Sequence, residues 1–149
     1  MEAVPSSGHI TNILLLAESD GSVNATIATS DDGASTAQIS FYDPSDASNV
    51  IFTTNGTANA PFSFTVDPAP LTWSPDTPIV YNVSVTVGDD VAYSYAAFRT
   101  VERKEVNGVQ RFLLNGEPIY QFGPLDQGWW PDGLHSVSSA VFRDHLYWA

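Results

Sequence analysis

Hydrophobic and polar residues alternate along much of the first hundred positions of the chain. In residues 62–66 (FSFTV) and 81–87 (YNVSVTV), every second residue is apolar and the residues between are polar. This period of two places one face of a strand in a core and the other face in water. Turn-forming groups such as DGS, DDGAS and PSDAS separate the alternating stretches every eight to twelve positions. About seven such strands predict an all-β fold, an immunoglobulin-like antiparallel β-sandwich over residues 8–106.

The pattern changes after residue 98. Two Asn-Gly pairs follow, at 107–108 and 115–116, and they predict a hairpin followed by a second tight turn because Asn-Gly favours the backbone of short hairpin turns. We therefore divide the chain into the sandwich, residues 1–106, and a C-terminal part, residues 107–149, made of a hairpin, an aromatic loop and a short, partly ordered extension.

Charge is distributed unevenly along the chain. The formal net charge is −12, and residues 1–98 hold eleven carboxylates and neither lysine nor arginine, whereas all five basic residues follow. An acidic surface repels phosphate groups, so we expect no nucleic-acid partner. The plain interpretation of the charge is solubility.

Composition narrows the chemistry further. The chain has no cysteine, which excludes disulfides, thiol catalysis and cysteine metal ligands. We find no apolar run long enough to cross a membrane and no basic-then-apolar leader, so we expect no membrane partner and favour a cytoplasmic location. Sequons at Asn24, Asn55 and Asn82 are a weak indication of secretion, because a chain so rich in Asn, Ser and Thr acquires one or two by chance.

The segment 123–134, GPLDQGWWPDGL, concentrates aromatic and acidic residues in a loop composition. The two tryptophans of this segment, together with Tyr120 before it and Trp148 after it, suggest a pocket for a small, mostly apolar molecule. The candidate ligand-binding residues are therefore Tyr120, Trp129, Trp130 and Trp148. The candidate catalytic residues, for proton handling, are Asp126, Asp132 and His135, although aspartate is also a common turn residue. Neither a His-x-x-x-His nor a His-x-His pair occurs, so we predict no metal site and no cofactor.

Three coverings are open for these aromatic side chains, since large exposed apolar patches usually mark interfaces or pockets. The tail, residues 135–149, could fold back over them, a second copy could cover them in a homodimer, or they could line the small-molecule pocket. Trp73 is a separate case: it is expected to plug one end of the core, with ligand stacking as the alternative.

Three stretches together resemble glycoside hydrolase family 2, the β-galactosidase, β-glucuronidase and β-mannosidase group. Residues 71–87, LTWSPDTPIVYNVSVTV, are similar to the Trp-x-Pro-x-x-Pro-x-Leu-Tyr segment of that family's sandwich. Residues 96–120 resemble its last sandwich strand and the Asn-Gly-x-Pro hairpin that enters the catalytic barrel, and residues 123–134 resemble the loop after the first barrel strand. The resemblance implies an immunoglobulin-like sandwich joined to the start of a barrel.

The features of that family that this sequence lacks determine which function we expect of the chain. The family's acid/base and nucleophile glutamates lie on later barrel strands and have no counterpart in this sequence. We therefore interpret the chain as a truncated remnant that does not hydrolyse glycosides. It is expected to have been recruited to bind or transform, for example cyclise, a small and largely apolar molecule. The alternative is a non-catalytic accessory module, structural or carbohydrate-associated.

Overall fold

A computed structural model describes residues 8–123 and 125 of the chain. Within these residues the regular structure is β-strand throughout, with no helix. The strands, in chain order, are β1 Ile10–Ala17, β2 Ser22–Thr29, β3 Thr36–Asp43, β4 Asp46–Thr57, β5 Phe62–Thr65, β6 Tyr81–Val87, β7 Asp90–Ala96, β8 Val101–Val106, β9 Val109–Leu114 and β10 Glu117–Pro118.

The strands form three antiparallel sheets. One sheet has the order β1-β2-β5 and another the order β4-β3-β6-β7, and these two enclose a common core. The third sheet, β10-β9-β8, is the C-terminal hairpin with its short extra strand. Seven strands in a three-on-four sandwich confirm the predicted all-β, immunoglobulin-like architecture.

The core follows from the alternation of side chains. On β6, Val83 and Val85 are fully buried, and on β3 so are Ile39 and Phe41. The Phe41 ring lies 6.1 Å from the ring of Phe64 on the facing sheet, in an edge-on arrangement. Aromatic rings in this geometry contribute about 0.5–1.5 kcal/mol beyond their buried area, so this contact helps to fix how the two sheets pack.

Tyr81 marks the point where the chain enters β6. Its ring is 3% exposed and packs edge-on against Phe98 at 5.3 Å. Its hydroxyl accepts a hydrogen bond from the backbone amide of Leu71 at 2.8 Å. A buried tyrosine that bonds to the backbone upstream of this strand is a feature of immunoglobulin-like sandwiches, and here it ties down the crossing segment 71–80.

Both predicted Asn-Gly turns are present. Asn107 and Gly108 have φ of 54° and 77°, and Asn115 and Gly116 have 52° and 85°. Positive φ at both central residues is what a type I′ hairpin turn requires, and β8 pairs with β9 and β9 with β10 across these turns.

The stretch 91–106 contains parts of two strands that belong to different sheets. Strand β7 ends at Ala96, residues 97–100 leave the sheet, and β8 then pairs with β9. The interruption has a physical cause: the carbonyl of Phe98 accepts the amide of Trp73 at 2.9 Å instead of a ladder bond. The predicted division of the chain after residue 106 stays a prediction.

Candidate functional site

Most of the site residues predicted from the sequence lie outside the described residues: Asp126, Trp129, Trp130, Asp132, His135 and Trp148. Tyr120 is described, and its side chain is 88% exposed. Phe122 and Leu125 in the same segment are 89% and 86% exposed. Tyr120 is therefore solvent-exposed, and the structure does not test the other residues of the predicted pocket.

Within residues 8–119, a groove of about 620 Å³ lies where the ends of β1 and β7 meet the crossing segment 71–80 and the connector 97–100. Its lining residues come from four separate parts of the sequence. They are Leu15, Leu16, Ala17, Glu18, Trp73, Val80, Tyr95, Ala96, Ala97, Arg99 and Val101.

Trp73 lies at the edge of this groove. The sequence predicted a core plug, but the half-buried side chain is not a member of the buried core. The guanidinium carbon of Arg99 stands 4.7 Å from the centre of the Trp73 ring. A cation at this distance from an aromatic face is attracted by the ring quadrupole by about 0.5–1 kcal/mol at an exposed site. The exposed Arg99 side chain therefore covers one face of the Trp73 ring.

A network of side-chain hydrogen bonds lies beside the groove and reaches it at Glu18. Thr100 Oγ1 donates to Glu18 Oε2 at 2.7 Å and accepts the amide of Ser19 at 3.0 Å. The side chain of Asn115 bridges two backbones: its Oδ1 accepts the Thr100 amide at 3.0 Å, and its Nδ2 donates to the Trp73 carbonyl at 3.0 Å. The end of β1, the connector and the crossing segment are thus joined by the second Asn-Gly turn.

The rim of the groove is apolar. Leu16, Val80, Tyr95 and Val101 are exposed by 54%, 39%, 72% and 67%. Four large apolar side chains that converge on one depression form a local patch, and such patches mark binding sites more often than single exposed residues do. The charged groups Glu18 and Arg99 supply the polar contacts.

The carboxyls with perturbed pKa values lie outside this groove. Hydrogen bonds from Ser22, Ser45 and Ser48 lower the pKa of Asp20, Asp43 and Asp46, respectively. Each lies in or next to a turn and accepts hydrogen bonds from the serine two positions ahead, as aspartates at turns commonly do. Their shifts therefore report turn structure rather than catalytic tuning.

Two further findings concern metal binding and membrane-spanning helices. Across the described residues, no group of three or more His, Asp or Glu side chains is arranged to hold a metal ion. The same part of the chain contains no helix long and apolar enough to cross a membrane.

Comparison with solved structures gives the architecture its context. β-Glucuronidases from Faecalibacterium prausnitzii, Lactobacillus rhamnosus and Ruminococcus gnavus superpose with TM-scores of 0.74, 0.71 and 0.72. The matches cover 95%, 94% and 94% of this chain at 19%, 19% and 15% identity. The chain has the fold of part of a β-glucuronidase.

The match covers only a small part of each β-glucuronidase chain. The chain spans 22–23% of the length of these β-glucuronidases. No family model and no curated protein matches the sequence. At this identity the likeness is one of fold, which confirms the immunoglobulin-like sandwich that the resemblance implied, while activity has to be argued from the residues themselves.

Most of the groove was not predicted from the sequence. Arg99, which lines it, and the neighbouring Thr100 and Asn115 all lie in the stretch 96–120 that carried the resemblance, yet only the turn at Asn115 was predicted from them. Their shared position next to Trp73 depends on long-range pairing, which local patterns do not reveal.

Proposed function

We propose that this chain is a non-hydrolytic module that binds a small, largely apolar molecule in the groove beside Trp73. The observation that carries the proposal is the set of four large apolar side chains on the rim (Leu16, Val80, Tyr95 and Val101) beside the charged groups of Glu18 and Arg99, although polar atoms make up more than half of the exposed lining. Small-molecule sites are typically apolar clefts of roughly 300–1,000 Å³ with a few polar groups that orient the ligand. The volume of about 620 Å³ falls within that range.

The chemistry of the groove does not suit glycoside hydrolysis. A retaining glycosidase needs two carboxyl groups about 5–5.5 Å apart, and an inverting one needs them about 6.5–9.5 Å apart. Among the described residues that line the groove, Glu18 is the single carboxylate, and its Oε2 accepts the Thr100 hydroxyl. We expect no turnover of aryl glucuronides, galactosides or mannosides, and measurable turnover by the pure chain would refute this part of the proposal.

The proposal extends to a transformation such as cyclisation of the bound molecule. Holding a flexible substrate in a reactive shape lowers the barrier without a dedicated nucleophile, and one acid–base group then suffices. Glu18 is the candidate in the groove. Asp126, Asp132 and His135 remain candidates outside the described residues, as does a homodimer formed through Trp129 and Trp130.

A second candidate function is that of an accessory module, structural or carbohydrate-associated. The superposition of 94–95% of this chain on 22–23% of β-glucuronidase chains favours it, because a domain that forms a minor part of a large enzyme can serve to brace its neighbours.

Tryptophan fluorescence separates these functions. The chain has four tryptophans, so replacing Trp129, Trp130 and Trp148 by Phe leaves Trp73 as the only reporter of the groove. The variant is titrated with a panel of apolar metabolites and with a panel of sugars. Saturable quenching by an apolar compound alone is the expected result. Quenching by sugars alone would support the accessory module instead.

A matched pair of substitutions locates the site. Val101→Asp places a charge on the groove rim, and Val109→Asp does the same at a similarly exposed valine of the hairpin outside the groove. We expect the first to weaken binding about tenfold and the second to leave it unchanged. Binding that survives in a Trp73→Phe variant but needs Trp129 and Trp130 would move the site to the loop and overturn the assignment to the groove.

A further inference from the structure

The outer face of the sheet β4-β3-β6-β7 is free of charge. Its four strands carry charged residues at Asp43, Asp46 and Asp90 only, and each of these stands at a strand end. This is unusual in a chain with a net charge of −12 and no basic residue before position 99. Solubility does not explain the lack of charge on this face, because charged side chains would keep the protein soluble better than neutral ones.

The strand register defines the face. Tyr93 of β7 pairs with Ser84 of β6, Ser84 with Ser40 of β3, and Ser40 with Thr53 of β4. A neighbouring row includes Gln38 and Asn55 as a direct pair. The alternate residues of β3 and β6 are buried in the core, so these six side chains point away from it. We call these six residues the neutral face.

The polar groups of the neutral face are partly ordered in advance. Ser40 Oγ and Thr53 Oγ1 are hydrogen-bonded at 3.1 Å, and Ser84 Oγ is bonded to the hydroxyl of Tyr42 at 3.0 Å. Ser84 is itself buried at 8% exposure, so the hydroxyls of this row that are open to a ligand are those of Ser40, Thr53 and Tyr93, and each retains further capacity to donate or accept. Tyr93, at one end of the row, is 81% exposed. From Tyr93 to Thr53 the row crosses three strand spacings, or about 14 Å.

We infer that the neutral face binds an uncharged polysaccharide. The face combines an exposed aromatic ring, which offers a platform for the apolar side of a sugar ring, with rows of hydroxyl and amide groups that match sugar hydroxyls. Charge favours a neutral chain on this face: an anionic polymer is repelled by the net charge of −12, and the four strands offer a cationic polymer no carboxylate away from their ends. None of the six residues lines the groove, although Tyr95, two positions after Tyr93 on the same face of β7, does.

Affinity electrophoresis tests this inference. The full chain is run in native gels that contain soluble uncharged polysaccharides, namely a mixed-linkage β-glucan, a xyloglucan or a galactomannan, and in a gel that contains polygalacturonate. We expect retardation in at least one neutral gel and none in the anionic gel. Tyr93→Ala should weaken binding about tenfold, as loss of an aromatic anchor does. Tyr93→Phe should retain it, since the ring remains.

Phe112→Ala is the matched control, because Phe112 is an exposed aromatic residue (57%) on β9, outside the neutral face. Its mobility should equal that of the unaltered chain. No retardation in any neutral gel would overturn the inference, as would equal retardation by polygalacturonate or equal weakening by Phe112→Ala. Self-association that is lost in Tyr93→Ala, without polysaccharide binding, would identify the face as a protein interface and would also overturn it.

Discussion

The side-chain amide of Asn115 donates a hydrogen bond to the backbone carbonyl of Trp73 at 3.0 Å, and its oxygen accepts the backbone amide of Thr100 at 3.0 Å. One side chain in a hairpin turn therefore joins two segments that are 42 and 15 residues away along the sequence. The turn does more than reverse the chain.

Replacing Asn115 by Ala should lower the free energy of unfolding by about 3 kcal/mol. Two hydrogen bonds are lost at about 1 kcal/mol each, and alanine at a φ of 52° adds about 1 kcal/mol of backbone strain. Asn107→Ala is the matched control, because Asn107 has a φ of 54° but lies in an exposed turn. It should cost about 1 kcal/mol. Urea unfolding of both variants measures the difference, and equal effects would contradict a bridging role for Asn115.

Replacing Tyr81 by Phe should destabilise the sandwich by about 1–2 kcal/mol. The ring and its packing against Phe98 remain, but the partly buried amide of Leu71 loses its acceptor. Tyr93→Phe removes a hydroxyl from an exposed ring and should leave the stability unchanged. Thermal unfolding of the two variants checks this, and a Tyr81→Phe variant as stable as the unaltered chain would show that the hydroxyl is dispensable.

Replacing Gly56 by Ala should cost about 1–3 kcal/mol through overpacking. A Cβ at this position would come within 2.2 Å of the ring of Phe62 on β5, a strand of the facing sheet. Gly123→Ala is the control, since a Cβ there meets nothing within 4 Å. A second substitution, Phe62→Leu, shortens the side chain that clashes and should recover part of the loss. Denaturant midpoints of the single and double variants provide the measurement, and no recovery would argue against the clash.

Stability should fall as the pH drops below about 4. Hydrogen bonds from Ser45 and Ser48 lower the pKa of Asp43 and Asp46 below 3.8 in the folded chain. A lowered folded-state pKa means that the ionised form is favoured by folding, so the contribution is present above pH 3.8 and is lost as the pH falls through the lower folded value. The double variant Asp43→Asn, Asp46→Asn should therefore show less loss of melting temperature between pH 5 and about pH 2.5 than the unaltered chain. Parallel curves would contradict the assignment.

Local patterns in the sequence were sufficient for the fold. The alternation in residues 81–87 predicted β6, and the two Asn-Gly pairs predicted the turns that bound β9, because both signals depend on neighbouring residues only. The break at residues 97–100 could not be predicted in this way, since it arises from the bond between Phe98 and Trp73, 25 residues apart in sequence.

The candidate sites were less predictable for the same reason. The groove unites residues from β1, the crossing segment and the connector, and the neutral face depends on the strand order β4-β3-β6-β7. Neither proximity can be deduced from the spacing of residue types. The loop around Trp129 and Trp130 stands out in the sequence because its composition is locally unusual. An unusual local composition does not show which other functional groups lie near the loop in space.

The C-terminal hairpin belongs to a sheet of its own, and side-chain bonds from Asn115 and Thr100 secure it to the rest of the chain. In a continuous strand ladder, a pulling force is shared by many backbone hydrogen bonds. Here the force acts on a few side-chain hydrogen bonds. Tension applied to residues after Ile119 should therefore detach the hairpin before it unravels the sandwich. Among the described residues, we expect this small cluster of hydrogen bonds to break before the strand ladders of the sandwich do.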